Sequence, residues 1–289
     1  MIRCKNVLAQ GQQVYESGVF CREKWERYIE LALPGSKEML LADVQACLDT
    51  GKYTWEKDFL PVLQAVPGHP ELKTLTENFR RVTCGLDSRV TACFGKTVDA
   101  DVVLYLGLLN GAGWVTEING RMHVLLGAEK ILELGWQGLD EMRGLVWHEL
   151  GHVFQAQHGR LCCEEKDRQV QYVYQLFTEG VAMVFEQTLA SDEHYFHQNK
   201  NGWLAFCEAR FPRMLADFAL DLPAMASANQ RWFGDWARYE GVGDAGYYLG
   251  VRFVRDLIKE TPFQQLIGWD EGEVYRRFLC YVQEKSTPG

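Results

Sequence analysis

No run of this chain reaches the roughly 18 to 20 consecutive apolar residues that a membrane-crossing helix needs. The opening residues, MIRCKNVLAQGQQVYESG, lack the apolar core of a secretory leader. Neither a membrane anchor nor secretion is therefore expected. Positive charge is in deficit: 30 Lys and Arg face 39 Asp and Glu, a formal net charge of −9. A surface of that sign repels phosphate backbones and anionic lipid, so nucleic acid is not an expected partner. The nine cysteines are scattered and odd in number, and the vicinal Cys162-Cys163 lacks the two-residue spacing of a zinc knuckle. They read as reduced thiols of a cytoplasmic protein. No repeat period and no Pro/Ser/Gly-rich linker divides the chain.

What is there supports a packed core, with 47% hydrophobic and 24% charged residues over 289 positions. Helical periodicity runs from about residue 20 to 95, in VFCREKWERYIELAL, SKEMLLADVQACL and LKTLTENFRRVTCGL, with PG, TG and PGHP as breakers. Between 98 and 128 short β-rich runs alternate with NGAG and NG turns. Helical pattern returns after Gly138, with further helices expected at 202–220, 225–239, 245–261 and 271–284. The expected fold is α+β and predominantly helical, with a small, mainly antiparallel sheet. A helical lobe over 1–96 precedes a domain over 97–289, its sheet in 97–136 and its helices in 137–289.

One segment carries chemistry. His148-Glu149-Leu150-Gly151-His152 has H-E-x-x-H spacing, and a four-residue step on a helix sets both imidazoles on one face about 6 Å apart. Two such imidazoles can share a Zn²⁺ ion. Glu149, beside the first histidine, can take a proton from the water such a metal polarises without being a ligand itself. The flanking Leu145, Val146, Trp147, Val153 and Phe154 bury the helix, where polar groups need partners.

A catalytic zinc site uses three protein ligands and leaves one position open. The leading candidate for the third is Glu179, in T-E-G-V-A on the next apolar helix, with Glu186 two turns on and the pair Glu164 and Glu165 as alternatives. His194 and His197 lie in the polar SDEHYFHQNK and read as a solvated connection, while His69, His123 and His158 read as structural or exposed.

These residues resemble the gluzincins, zinc peptidases such as thermolysin and the aminopeptidase N family, in which H-E-x-x-H is followed by a glutamate ligand on a second helix. T-E-G-V-A at 178–182 is similar to the N-E-G-F-A segment of the aminopeptidase branch, although the 26 residues between His152 and Glu179 make a longer connection than is typical there. The resemblance extends over roughly 148–250, where it also suggests a group of predicted bacterial zinc-dependent proteases. It implies that Tyr247, in G-Y-Y-L-G, hydrogen-bonds the tetrahedral intermediate, the kind of contact that stabilises a developing oxyanion. It also implies an edge strand near 111–116, opening at Asn110-Gly111-Ala112-Gly113-Trp114, that pairs with substrate; the glycines there suit a hairpin turn equally. No G-x-M-E-N motif is present to grip a free peptide N-terminus, so strict aminopeptidase action is not expected. The expected activity is zinc-dependent hydrolysis of peptide bonds in a peptide or protein substrate. The same residues admit two alternatives: a catalytically silent, metal-containing peptide-binding protein, and a zinc hydrolase of a non-peptide amide or ester.

Overall fold

The computed structural model describes residues 1–234 and 236–286. About 60% of the chain is helical and 11% is strand, which makes it a mostly helical α+β protein. No described helix is long and apolar enough to cross a membrane. The chain divides into two compact units, Met1–Glu149 and Leu150–Gly289.

The first unit begins with β1 (Arg3–Asn6) and a small hairpin of β2 (Tyr15–Glu16) and β3 (Val19–Phe20). Helices α1 (Arg22–Ala32), α2 (Lys37–Asp49), α3 (Leu60–Ala65), α4 (Leu72–Thr83) and α5 (Leu86–Phe94) follow. Then come β4 (Ala100–Tyr105), β5 (Gly113–Ile118), β6 (Arg121–Gly127), α6 (Ala128–Glu133) and the start of α7 (Leu139–His158). Every residue of β4 is buried, the pattern of a strand covered on both faces. Asn119 and Gly120 both take positive φ, 52° and 74°, and close the two-residue turn from β5 to β6.

The sheet differs from the antiparallel one expected. Its order is β1-β4-β6-β5, with β1/β4 and β4/β6 parallel and only β5/β6 antiparallel. The hairpin signal is local and belongs to β5 and β6 alone, whereas β1 pairs with a strand almost a hundred residues away. Buried Asp101 ties these strands together, accepting from Arg3 Nε (2.7 Å), Lys5 Nζ (2.7 Å) and Arg121 Nε (2.5 Å). Burial alone would raise its pKa, but the three cations hold the carboxyl well below the usual range.

Contacts within the first unit cross residue 96. Besides the β1/β4 ladder, the Trp25 indole donates to the Leu106 carbonyl (2.9 Å), and the Leu106 amide donates to the Tyr28 hydroxyl (3.1 Å). Helix α1 thus packs on the end of β4 within the first unit.

The second unit contains the rest of α7, then α8 (Arg168–Ala190), α9 (Trp203–Asp221), the two-stranded β7 (Arg238–Tyr239) and β8 (Val242–Gly243), α10 (Ala245–Ile258), α11 (Phe263–Leu266) and α12 (Glu271–Ser286). The Asp167 carboxylate caps α8 by accepting the Gln169 amide (2.8 Å). Most of the middle of α8 is buried, as befits the central helix of this unit. Among the described residues of 225–239 there is no helix. There Asn229 Oδ1 takes the Ala226 amide and Gln230 Oε1 takes those of Trp232 and Phe233, so side chains occupy backbone donors that a helix would need.

Candidate metal centre

Helix α7 begins with Asp140 and Glu141 in its first turn, charges that suit its dipole. Leu145, Val146, Leu150, Val153 and Phe154 bury it, and the Arg89 and Arg143 guanidinium groups lie over the Trp147 ring, 5.4 and 5.6 Å from its centroid. His148 and Glu149 are themselves buried, at 3% and 7% exposure.

Two close helix approaches in the second unit set the remaining donor. Gly151 lies against α8: a Cβ there would stand 2.8 Å from Ala182 Cα. One residue on from Gly151 is His152, and one turn before Ala182 is Glu179. Their side chains meet, with His152 Nε2 3.3 Å from Glu179 Oε2. Farther along, α8 and α10 touch backbone to backbone, since a Cβ on either Gly180 or Gly250 would run into the main chain of the other helix.

His148, His152 and Glu179 each offer a ligand atom, and these atoms all lie within 4.8 Å of one another. Two imidazole nitrogens and one carboxylate oxygen form a donor set suited to a divalent ion of borderline softness, with positions left for other ligands. Glu149 stands outside this trio. On its side of the first unit, Gly113 of β5 packs against it so closely that a Cβ would lie 3.0 Å from Glu149 Oε1.

The other candidates fall elsewhere. Glu186 is fully buried and accepts from His197, whose Nδ1 lies 2.9 and 3.0 Å from the two carboxylate oxygens and whose amide lies 3.3 Å away. His197 is therefore an interior residue rather than part of a solvated connection, because its partner on α8 draws it in; His194 is exposed. Glu164 and Glu165 are exposed, and the Glu164 amide donates to Glu271 (2.5 Å). Among the remaining histidines, His123 is buried in β6, the His69 ring accepts the Glu71 amide, and the His158 ring lies tilted against Phe154, with centroids 4.7 Å apart. Tyr247 lies in the first turn of α10, one turn ahead of Gly250 and on the same face by i, i+3 spacing. Its ring meets Phe233 edge-on at 6.4 Å.

The sequence reading missed three kinds of residue: the glycines at the helix crossings, the buried Gln155 on the His152 face of α7, which donates to the Arg160 carbonyl (2.7 Å), and the buried Glu129. Small residues on successive apolar helices were the available signal for the first. No family model matches the chain, and no curated protein or solved structure does.

Proposed function

We propose that this chain is a zinc-dependent peptidase of gluzincin type, with His148, His152 and Glu179 as its metal ligands. The observation that carries the reading is the convergence of these three donors while the adjacent Glu149 stays outside the set. A purely structural zinc has no use for such a carboxylate and favours a closed, four-ligand site. When bound, zinc supplies Lewis acidity, lowering the pKa of water and polarising a carbonyl. Glu149 takes the proton from the attacking water and delivers it to the leaving amine. Tyr247 donates to the carbonyl oxygen as negative charge develops there.

The edge strand β5, ahead of α7 in the chain, serves as the substrate rail in this reading. The Gly127 amide donates to the Ala112 carbonyl (3.1 Å), which fixes the phase of the ladder. Trp114 and Thr116 bond inward to β6, and Gly113, Val115 and Glu117 turn their main-chain groups to the open edge. An extended peptide paired there would lie beside Glu149. A reducing, cytoplasmic setting suits the nine free cysteines, and the net charge of −9 suits a peptide substrate rather than nucleic acid.

The test is elemental analysis of purified protein beside Glu179→Ala. Near-stoichiometric zinc in the parent and a clear loss in the variant is the expected result. A parent that holds no zinc and takes up none would overturn the reading.

A further inference from the structure

Glu129, in the first turn of α6, is fully buried and has no part in the chemistry above. Its two carboxylate oxygens are both engaged by the loop that joins β4 to β5. Oε2 accepts the Gly107 amide (2.8 Å) and Oε1 the Leu109 amide (3.0 Å). Leu109 takes φ 63°, a left-handed conformation that costs a residue with a side chain of order 1 kcal/mol and persists only where its surroundings fix it. Glycine is present where the carboxylate leaves no room: a Cβ would stand 2.5 Å from Glu129 Oε1 at Gly107 and 3.0 Å from it at Gly127. Asn110 secures the far side of the loop, accepting the Leu108 amide (3.1 Å) and donating to the Leu40 carbonyl (3.0 Å) and Asp43 (2.8 Å). Four residues beyond Leu109 the chain enters β5 at Gly113, packed on Glu149.

We infer that Glu129 is a positioning residue for substrate: its buried carboxylate holds the 107–110 loop in the strained form that delivers Gly113 and the open edge of β5 to Glu149. The inference rests on the peptidase reading for its consequence, though not for the geometry. A glutamine at this position keeps the size but has one acceptor oxygen for two amides, and it turns an NH₂ group toward one of them. Burying an amide with its acceptor removed is unfavourable, so the loop relaxes.

The experiment compares the full-length parent with Glu129→Gln by hydrogen exchange with mass spectrometry, zinc analysis, and kinetics on a fluorogenic octapeptide that the parent cleaves. The expected result has three parts: exchange about tenfold faster in 106–113 with 139–158 unchanged, zinc content unchanged, and KM raised about tenfold with kcat within twofold. Unchanged exchange in 106–113, faster exchange with an unchanged KM, or loss of protection throughout 1–149 would each overturn it. The exchange measurement needs no turnover. A parent that holds zinc but cleaves no peptide therefore sinks the peptidase reading, while exchange in 106–113 still decides whether Glu129 anchors the loop.

Discussion

Gly113 and Glu149 are in contact across the first unit, so that a methyl group on Gly113 would stand 3.0 Å from Glu149 Cγ and Oε1 and 2.8 Å from Leu145 Cδ1. The strand and the proposed base are set against each other with no side chain between them. Gly113→Ala is expected to cost about 1 to 3 kcal/mol of stability through overpacking and to shift the Glu149 carboxylate. Zinc content should be unchanged and peptide hydrolysis reduced at least tenfold, a combination that elemental analysis and a peptidase assay would read together.

Glu149→Gln preserves shape and removes the proton acceptor. Zinc should stay bound, and kcat should fall by about 10² to 10⁴, the usual contribution of a general base. Treating the parent with a chelator should abolish activity, and restoring zinc should recover it. Full activity in the Gln variant would remove Glu149 from the mechanism.

Gly180→Ala drives a methyl group into the α10 backbone at Gly250. The expected cost is about 3 kcal/mol, at the upper end for overpacking, measured by urea denaturation. Because Glu179 precedes the crossing directly, zinc affinity should fall along with stability, whereas an overpacking substitution of similar cost in α12 should leave zinc affinity alone.

Burial pushes the Glu129 carboxyl up from the usual 4.5 to about 7, against the lowering effect of its amide partners and Lys130. Tyr28 and Tyr105 interact with it, and their own phenols are raised by burial above the physiological range, so they stay neutral. The folded chain therefore holds this proton more tightly than the unfolded chain. The stability contribution of this group is complete below pH 4.5 and is lost as pH rises through 7, on the order of 3 kcal/mol. Between pH 4.5 and 8 the unfolding free energy of the parent should fall by about that total amount relative to Glu129→Gln; parallel curves would contradict it.

The readable features were those written in short-range spacing. The four-residue step from His148 to His152 needs only a helix to align it, and Asn119-Gly120 needs only two flanking strands. Glu179 stood out because it interrupts an apolar helix. The pairing of Arg3–Asn6 with β4 left no trace, since nothing local marks which of several strands a short N-terminal segment will join. His197 was misread because the polar residues around it advertise a turn, while the carboxylate that buries it belongs to another element. Glu129 escaped notice because an acidic residue in a first helical turn ordinarily faces solvent.

The meeting of Gly180 and Gly250 also bears on how this sequence can change over time. Where side chains form the contact between two helices, a substitution on one side can be answered by another on the other side, and the pair can drift through many combinations. Two backbones in contact leave no such partner to adjust. Any larger residue at either position must push the helices apart, and a second change at the opposite position cannot draw them back, since glycine has nothing left to give up. This crossing should therefore stay fixed in descendants of the chain while the surfaces around it diversify.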